Sequence, residues 1–268
     1  MKSINAKRIL AAVLTSAMAL PFAACGEKSE KNDNDSTSEK FVVGFDAAFP
    51  PYGYQDDKGE YVGFDLDLAA EVCERNDWEL VKQPIDWDSK DMELNSGTIS
   101  CIWNGFTMTG REDDYAWTAP YVDNSQVVVV KSESGIASFA DLANKGVAVQ
   151  TDSSAEDALE QEENADLKDS FKELVVVSDY NTAFMNLDSG AVDAVAMDIG
   201  VAKYQIESRG DGYIMLPETL SEEQYAVGFA INNTELRDKV DATLNDMRKD
   251  GTFEKIAEKW ELSDSIIK

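Results

Sequence analysis

The sequence predicts an α/β chain folded as two lobes, each built on its own sheet, with a cleft between them. Three observations lead there. Short β-branched or aromatic runs alternate with helical patterns, which argues for parallel sheets with helices on their faces. The alternation breaks after Pro120 and restarts, and two sheets need two cores. The closing helices come with no strand pattern long enough for a sheet of their own, so they return to cover the first lobe.

In order along the chain, FVVGFD (41 to 46) reads as a buried strand. YGYQDDKGEYVGF (52 to 64) reads as a hairpin turning at Asp57, Lys58 and Gly59. FDLDLAAEVCERN (64 to 76) places Leu66, Ala69, Ala70 and Cys73 on one helical face, and Asp65 and Asp67 in this run read as capping and flanking the helix. WELVKQPI is a strand, SKDMELNSG a short helix with a glycine stop, and ISCIWN a strand. In the second series SQVVVVK (125 to 131), GVAVQ (146 to 150), KELVVVS (172 to 178) and AVDAVAM (191 to 197) are strands, separated by helices over 154 to 164 and 180 to 190. A long helix runs from Thr234 to near Gly251, and a last one carries Phe253, Ile256 and Trp260. The expected division is 41–123 plus 226–268 for the first lobe and 124–225 for the second, with crossings near 123 to 126 and 222 to 226.

The start of the chain is of another kind. Lys2, Lys7 and Arg8 precede an apolar run from Ile9 to Leu20 that is too short to stay in a membrane as a spanning helix. Small residues and Cys25 follow at once, so residues 1–24 read as a secretory signal peptide. FAAC (22 to 25) resembles the bacterial lipobox, which would make Cys25 the acylated first residue of the mature protein. An ordinary signal peptide with a nearby free cysteine is the alternative. Residues 25–40 hold too few apolar side chains to fold and read as a tether.

Loss of Lys2, Lys7 and Arg8 with the leader takes the formal charge from −28 to −31. So acidic a surface repels nucleic acid and anionic lipid headgroups, leaving attachment to the lipid anchor. The chain has no histidine, and only Cys73 and Cys101 remain after Cys25. Thiolate or imidazole metal sites and Ser-His or Cys-His nucleophilic triads therefore drop out, and no cofactor is expected. The two cysteines read as buried thiols, with a disulfide as the alternative.

Against this acidity TMTGRED places one cation, Arg111, behind two threonines and a glycine. A solvated surface arginine is the plain reading. The surrounding motifs say more: VGFDAAFPPYGY, YVGFDLDLA, IDWD, IWNGFTMTGRE with TAPY, VAVQTDSSAEDAL, LDSGAVDAVAMD and LRDKVDATLNDMRKDGTFEKIAEKW. In this order, over 41 to 260, the chain resembles the substrate-binding proteins of polar amino acid ABC transporters, which are lipid-anchored in Gram-positive bacteria.

The resemblance implies a two-lobed periplasmic-binding-protein-like fold of type II, closing by a hinge on one free L-amino acid and offering it to an ABC transporter permease. It also implies a likeness in location, at the extracellular face of the cytoplasmic membrane, and a monomer. Arg111 matches the family's carboxylate-binding arginine, and a guanidinium grips a carboxylate with two parallel hydrogen bonds. One residue, Gly110, separates it from Thr109, where the family usually has two. Asp198 matches the aspartate that accepts the ligand's ammonium, with a helix N-cap as the other reading. Ser153 and Ser154 open a helix, and Asn104, Gly105 and Thr107 match the loop around the head group. Asp46, Phe49, Trp87 and Gln150 match positions facing the ligand's variable end, although Phe49 and Trp87 read equally well as core. With no lysine or second arginine at those positions, the expected ligand is a neutral polar or cationic amino acid, cystine included. An enzyme on the same scaffold, dehydratase-like, and a sensor's solute receptor remain as rivals.

Overall fold

The computed structural model describes residues 38–267. The 1–24 leader, Cys25 and most of the 25–40 tether lie outside the described residues. Strand β1 (Lys40–Phe45) opens the first sheet. A small hairpin sheet follows, made of β2 (Ala48–Phe49), β3 (Gly53–Gln55) and β4 (Tyr61–Val62). Helix α1 (Phe64–Arg75) buries Leu66, Ala69 and Cys73 as the apolar spacing foretold, together with Val72, whereas Ala70, expected on the same face, is exposed. Then come β5 (Glu79–Pro84), α2 (Lys90–Ser96), β6 (Cys101–Ile102) and β7 (Ala116–Trp117).

The second series holds β8 (Val122–Lys131), β9 (Gly146–Gln150), α3 (Ser154–Glu160), α4 (Ala165–Ser170), β10 (Glu173–Val177), α5 (Tyr180–Ser189), β11 (Ala194–Asp198), α6 (Ile199–Arg209) and β12 (Tyr213–Tyr225). The chain then returns as β13 (Gly228–Phe229), α7 (Thr234–Asp250) and α8 (Thr252–Lys259). The first sheet runs β5-β1-β6-β13-β7 and the second β10-β9-β11-β8-β12. Val240, Leu244, Met247 and Phe253 of α7 and α8 are fully buried in the main core with α1, each worth roughly 1.5 to 3 kcal/mol.

The sheets are mixed, not parallel as expected. β1 runs parallel to β5 and β6, and β9 parallel to β10 and β11. β8 is antiparallel to β11 and β12, and β13 to β6 and β7. Each antiparallel strand enters directly from the other lobe, so no helical crossover obliges it to run parallel. The thirteen-residue β12 was absent from the expected strands. Its Pro217 and charges argue against a strand, but β12 is an edge, and its register shifts between Met215 and Ser221 accommodate the proline. The two crossing segments pair with each other, Val122 opposite Tyr225, Asn124 opposite Glu223 and Gln126 opposite Ser221.

Asp65 and Asp67 do not cap α1. The N-cap is Gly63, with no side-chain bond. Asp67 instead bonds Lys259 and Trp260 at 2.5 and 2.7 Å, and Asp65 is fully buried. Cys73 and Cys101 are both buried free thiols, and burial pushes the Cys73 thiol up to about 12.

Candidate functional site

Four parallel strands deliver the site, β1 and β6 from the first sheet and β9 and β11 from the second. Each ends at the cleft, the carboxyl-end location where open α/β sheets hold ligands. Asp46 follows β1, Gln150 ends β9 and Asp198 ends β11. Asn104, Gly105 and Thr107 lie on the loop after β6. Its conformation is held from below. Asp65 Oδ2 accepts the Gly105 N–H at 2.6 Å, and Asn104 Oδ1 accepts the Asp46 N–H at 2.9 Å. Gly105 sits at φ 54°, where a Cβ would meet Phe49 and Tyr225 at 2.9 and 3.0 Å, so the position requires glycine.

Phe49, Trp87, Asn104, Gly105, Thr107, Gln150, Ser153, Ser154 and Asp198 line one cavity of about 20 Å³. That volume admits a water but is too small for an amino acid. Asp46 is not on its wall but adjoins it through Gln150, whose Nε2 donates to Asp46 Oδ2 at 2.8 Å across the cleft. Arg111 is not on the wall either. Its guanidinium lies over the Phe106 ring at 5.6 Å, and Nη2 meets Asp157 Oδ2 of α3 at 2.6 Å. Trp87 Nε1 donates to the Asp152 carbonyl at 3.2 Å, and its ring meets Phe106 edge-on. The buried Lys90 ammonium forms an ion pair with Asp152.

The two halves of the cavity differ in polarity. Asn104 Nδ2 is a buried donor with no acceptor. Asp198 is the acceptor on the other wall. Its Oδ1 accepts from Asn124 Nδ2 at 2.8 Å, Gln126 Nε2 at 2.7 Å and the Tyr225 hydroxyl at 2.5 Å. The Tyr180 hydroxyl stands 3.5 Å from Oδ2. Although Asp198 occupies the N-cap of α6, its side chain makes no cap bond, which leaves the carboxylate for the cleft. Ser153 caps α3, its Oγ accepting the Glu156 N–H at 3.2 Å.

Burial holds the Asp198 carboxyl above the usual carboxylate range, partly offset by the Tyr225, Gln126 and Asn124 donors. Burial likewise raises Asp46, against the Gln150 and Ala48 N–H groups. Asp65 is pushed up to about 7 by burial, against the Gly105 N–H. Among the described residues no cluster of His, Cys, Asp and Glu is placed to hold a metal ion, and no helix is long and apolar enough to cross a membrane.

Five polar residues in and around this site were not foreseen: Asn124, Gln126, Tyr180, Glu223 and Tyr225. A signal for four of them was present. Asn124 and Gln126, like Glu223 and Tyr225, stand two apart in the crossing segments, the spacing that puts both members on one face of a strand.

Residues 41–263 match the bacterial extracellular solute-binding proteins, family 3. The chain belongs to this family. Among its relatives, the L-cystine-binding protein TcyJ of Escherichia coli (strain K12) is 27% identical over 223 residues, 82% of this chain and 81% of TcyJ. The arginine-binding extracellular protein ArtP of Bacillus subtilis (strain 168) is 26% identical over 261 residues, 95% of this chain and 98% of ArtP. A solved ABC uptake transporter substrate binding protein from Streptococcus pneumoniae, with bound histidine, is 35% identical, with a TM-score of 0.81 over 85% of this chain and 95% of the other. Like these family 3 solute-binding proteins, the chain is a two-lobed α/β protein of the periplasmic-binding-protein type.

Proposed function

We propose that this protein captures one free L-amino acid in the cleft and delivers it to an ABC transporter permease. The observation that carries the reading is the polarity of the cleft cavity, with the unpartnered Asn104 donor on one wall and the Asp198 carboxylate on another. An amino acid zwitterion needs those two ends a few ångströms apart. Arg111 leaves Asp157 and takes the ligand carboxylate together with Asn104 and the Ser153–Ser154 turn. Asp198 takes the ammonium. Asp46, Gln150, Phe49 and Trp87 meet the side chain, which is neutral polar or cationic, cystine included. The protein acts as a carrier and not as an enzyme, as a monomer held to the outer face of the membrane by lipid on Cys25. The moving bodies are 41–123 with 226–268, and 124–225, turning about the paired crossing strands.

Thermal denaturation with each of the twenty amino acids and cystine tests this. A ligand present at a hundred times its Kd stabilises the native state by about 2.7 kcal/mol, a shift of roughly 5 to 10 °C for a chain of this size. No shift with any of them removes the amino-acid reading.

A further inference from the structure

Glu223 of β12 and Asp198 of β11 are joined through shared donors. Asn124 Nδ2 lies 2.8 Å from Asp198 Oδ1 and 2.6 Å from Glu223 Oε1. Gln126 Nε2 lies 2.7 and 2.8 Å from the same two atoms. The two carboxylate oxygens are therefore no farther apart than about 5.4 Å. Asp198 is 4% exposed and Glu223 7%.

The pair has no cation among its described hydrogen-bond partners. Beyond the two amides, its donors are hydroxyls: Thr107 to Glu223 at 2.8 Å, and Tyr225 and Tyr180 to Asp198. Tyr52 and, beyond it, Asp65 are the ionisable groups on the first-lobe side. The cleft cations Arg111 and Lys90 are held by Asp157 and Asp152. Two buried carboxylates this close do not both ionise without a counter-charge. Asn124 and Gln126 are each left with a buried amide oxygen that meets no donor. These two amide oxygens are acceptors left open beside the pair.

We propose that Asp198 and Glu223 form one ammonium site, which holds a single proton between them before the ligand arrives and releases it to solvent when the ammonium takes its place. This rests on the reading that the amino acid's ammonium sits at Asp198. Burial and the neighbouring Asp198 push Glu223 up to about 7, which puts the exchange in a measurable range. Thr107 belongs to the first lobe and Glu223 to the second, so the same carboxylate that shares the proton also bonds across the cleft.

The test is calorimetric titration of L-arginine, and separately L-glutamine, in buffers of different ionisation heat. From a midpoint near 7, wild type is expected to release most of a proton per amino acid at pH 6 and much less at pH 8. Glu223→Gln keeps an oxygen for the same three donors. It is expected to bind several-fold more weakly and to release no proton at either pH. Weaker binding with an unchanged proton count makes Glu223 structural and overturns the inference while leaving amino-acid binding intact. If neither amino acid binds, the ligand reading fails, and the pair is decided without ligand by ¹³C carboxyl titration. A carboxyl titrating near pH 7 should vanish in both Glu223→Gln and Asp198→Asn while that of Asp65 stays. Its absence in wild type, or its persistence in both variants, overturns the shared proton.

Discussion

The guanidinium of Arg111 closes on the carboxylate of Asp157 across the cleft, Nη2 to Oδ2 at 2.6 Å. Asp157 thus holds the position on the arginine that an amino acid's own carboxylate would need. Arg111→Ala should weaken amino-acid binding by roughly 2 to 5 kcal/mol, about 30-fold to several thousandfold. Asp157→Ala, which removes the internal competitor, should leave affinity unchanged or tighten it several-fold. Calorimetry on both variants separates the cases. Equal affinities for wild type and Arg111→Ala would sink the clamp, and a large loss in Asp157→Ala would make the pair structural.

Lys90 is 2% exposed and pairs with Asp152 of the other lobe. Asp152 is half exposed, so Lys90→Met leaves its charge solvated and removes the attraction across the cleft. Lys90→Met should shift the ligand-free protein toward the open form, raising its radius of gyration in small-angle scattering, with saturating amino acid reversing the rise. A curve identical to wild type would show that this pair does not hold the lobes.

Asp65 gives a pH signature. Its folded carboxyl is pushed up to about 7 from an unfolded value near 3.9. The native state therefore binds the extra proton between these values, and stability falls as pH rises through that window, by about 1.4 kcal/mol per pH unit per proton. Asp65→Asn keeps an acceptor for the Gly105 N–H and should flatten the slope between pH 5 and 7. Denaturant unfolding across that range reads it, and an unchanged slope means Asp65 is ionised in the native state.

Cys25 lies before the described residues, and its role is tested in cells. Cys25→Ser should move the protein from the membrane to the soluble fraction. Equal membrane retention by the variant would demand another anchor.

Much of this was legible beforehand. The apolar runs located β1, β9, β10 and β11, and the helical spacing of apolar residues located α7 and α8, because these side chains pack into the cores. Nine of the eleven expected ligand-site residues share the cavity wall, since strand ends and helix starts place them there. What escaped was set by partners. Strand direction in β8 and β13 follows from entry out of the other lobe. β12 hides a proline at a sheet edge. Asp65 looks like a helix-start carboxylate until the loop of Gly105 is folded onto it. Arg111 was expected on the cavity wall, but no local pattern announces a competing carboxylate on α3.

The C-terminal tail ends on the crossing. Asp123 donates to the Ser265 carbonyl at 2.8 Å, Ile267 to the Tyr121 carbonyl at 3.0 Å, and Val122 bridges Ile266. Residues 265–267 are therefore laid alongside the first of the two crossing segments. A dye attached at 267 would sit at the crossing while leaving the cleft unlabelled, so a turn of one lobe on the other would be read there, whereas cutting the chain after Leu262 would strip these contacts from one of the two crossing strands.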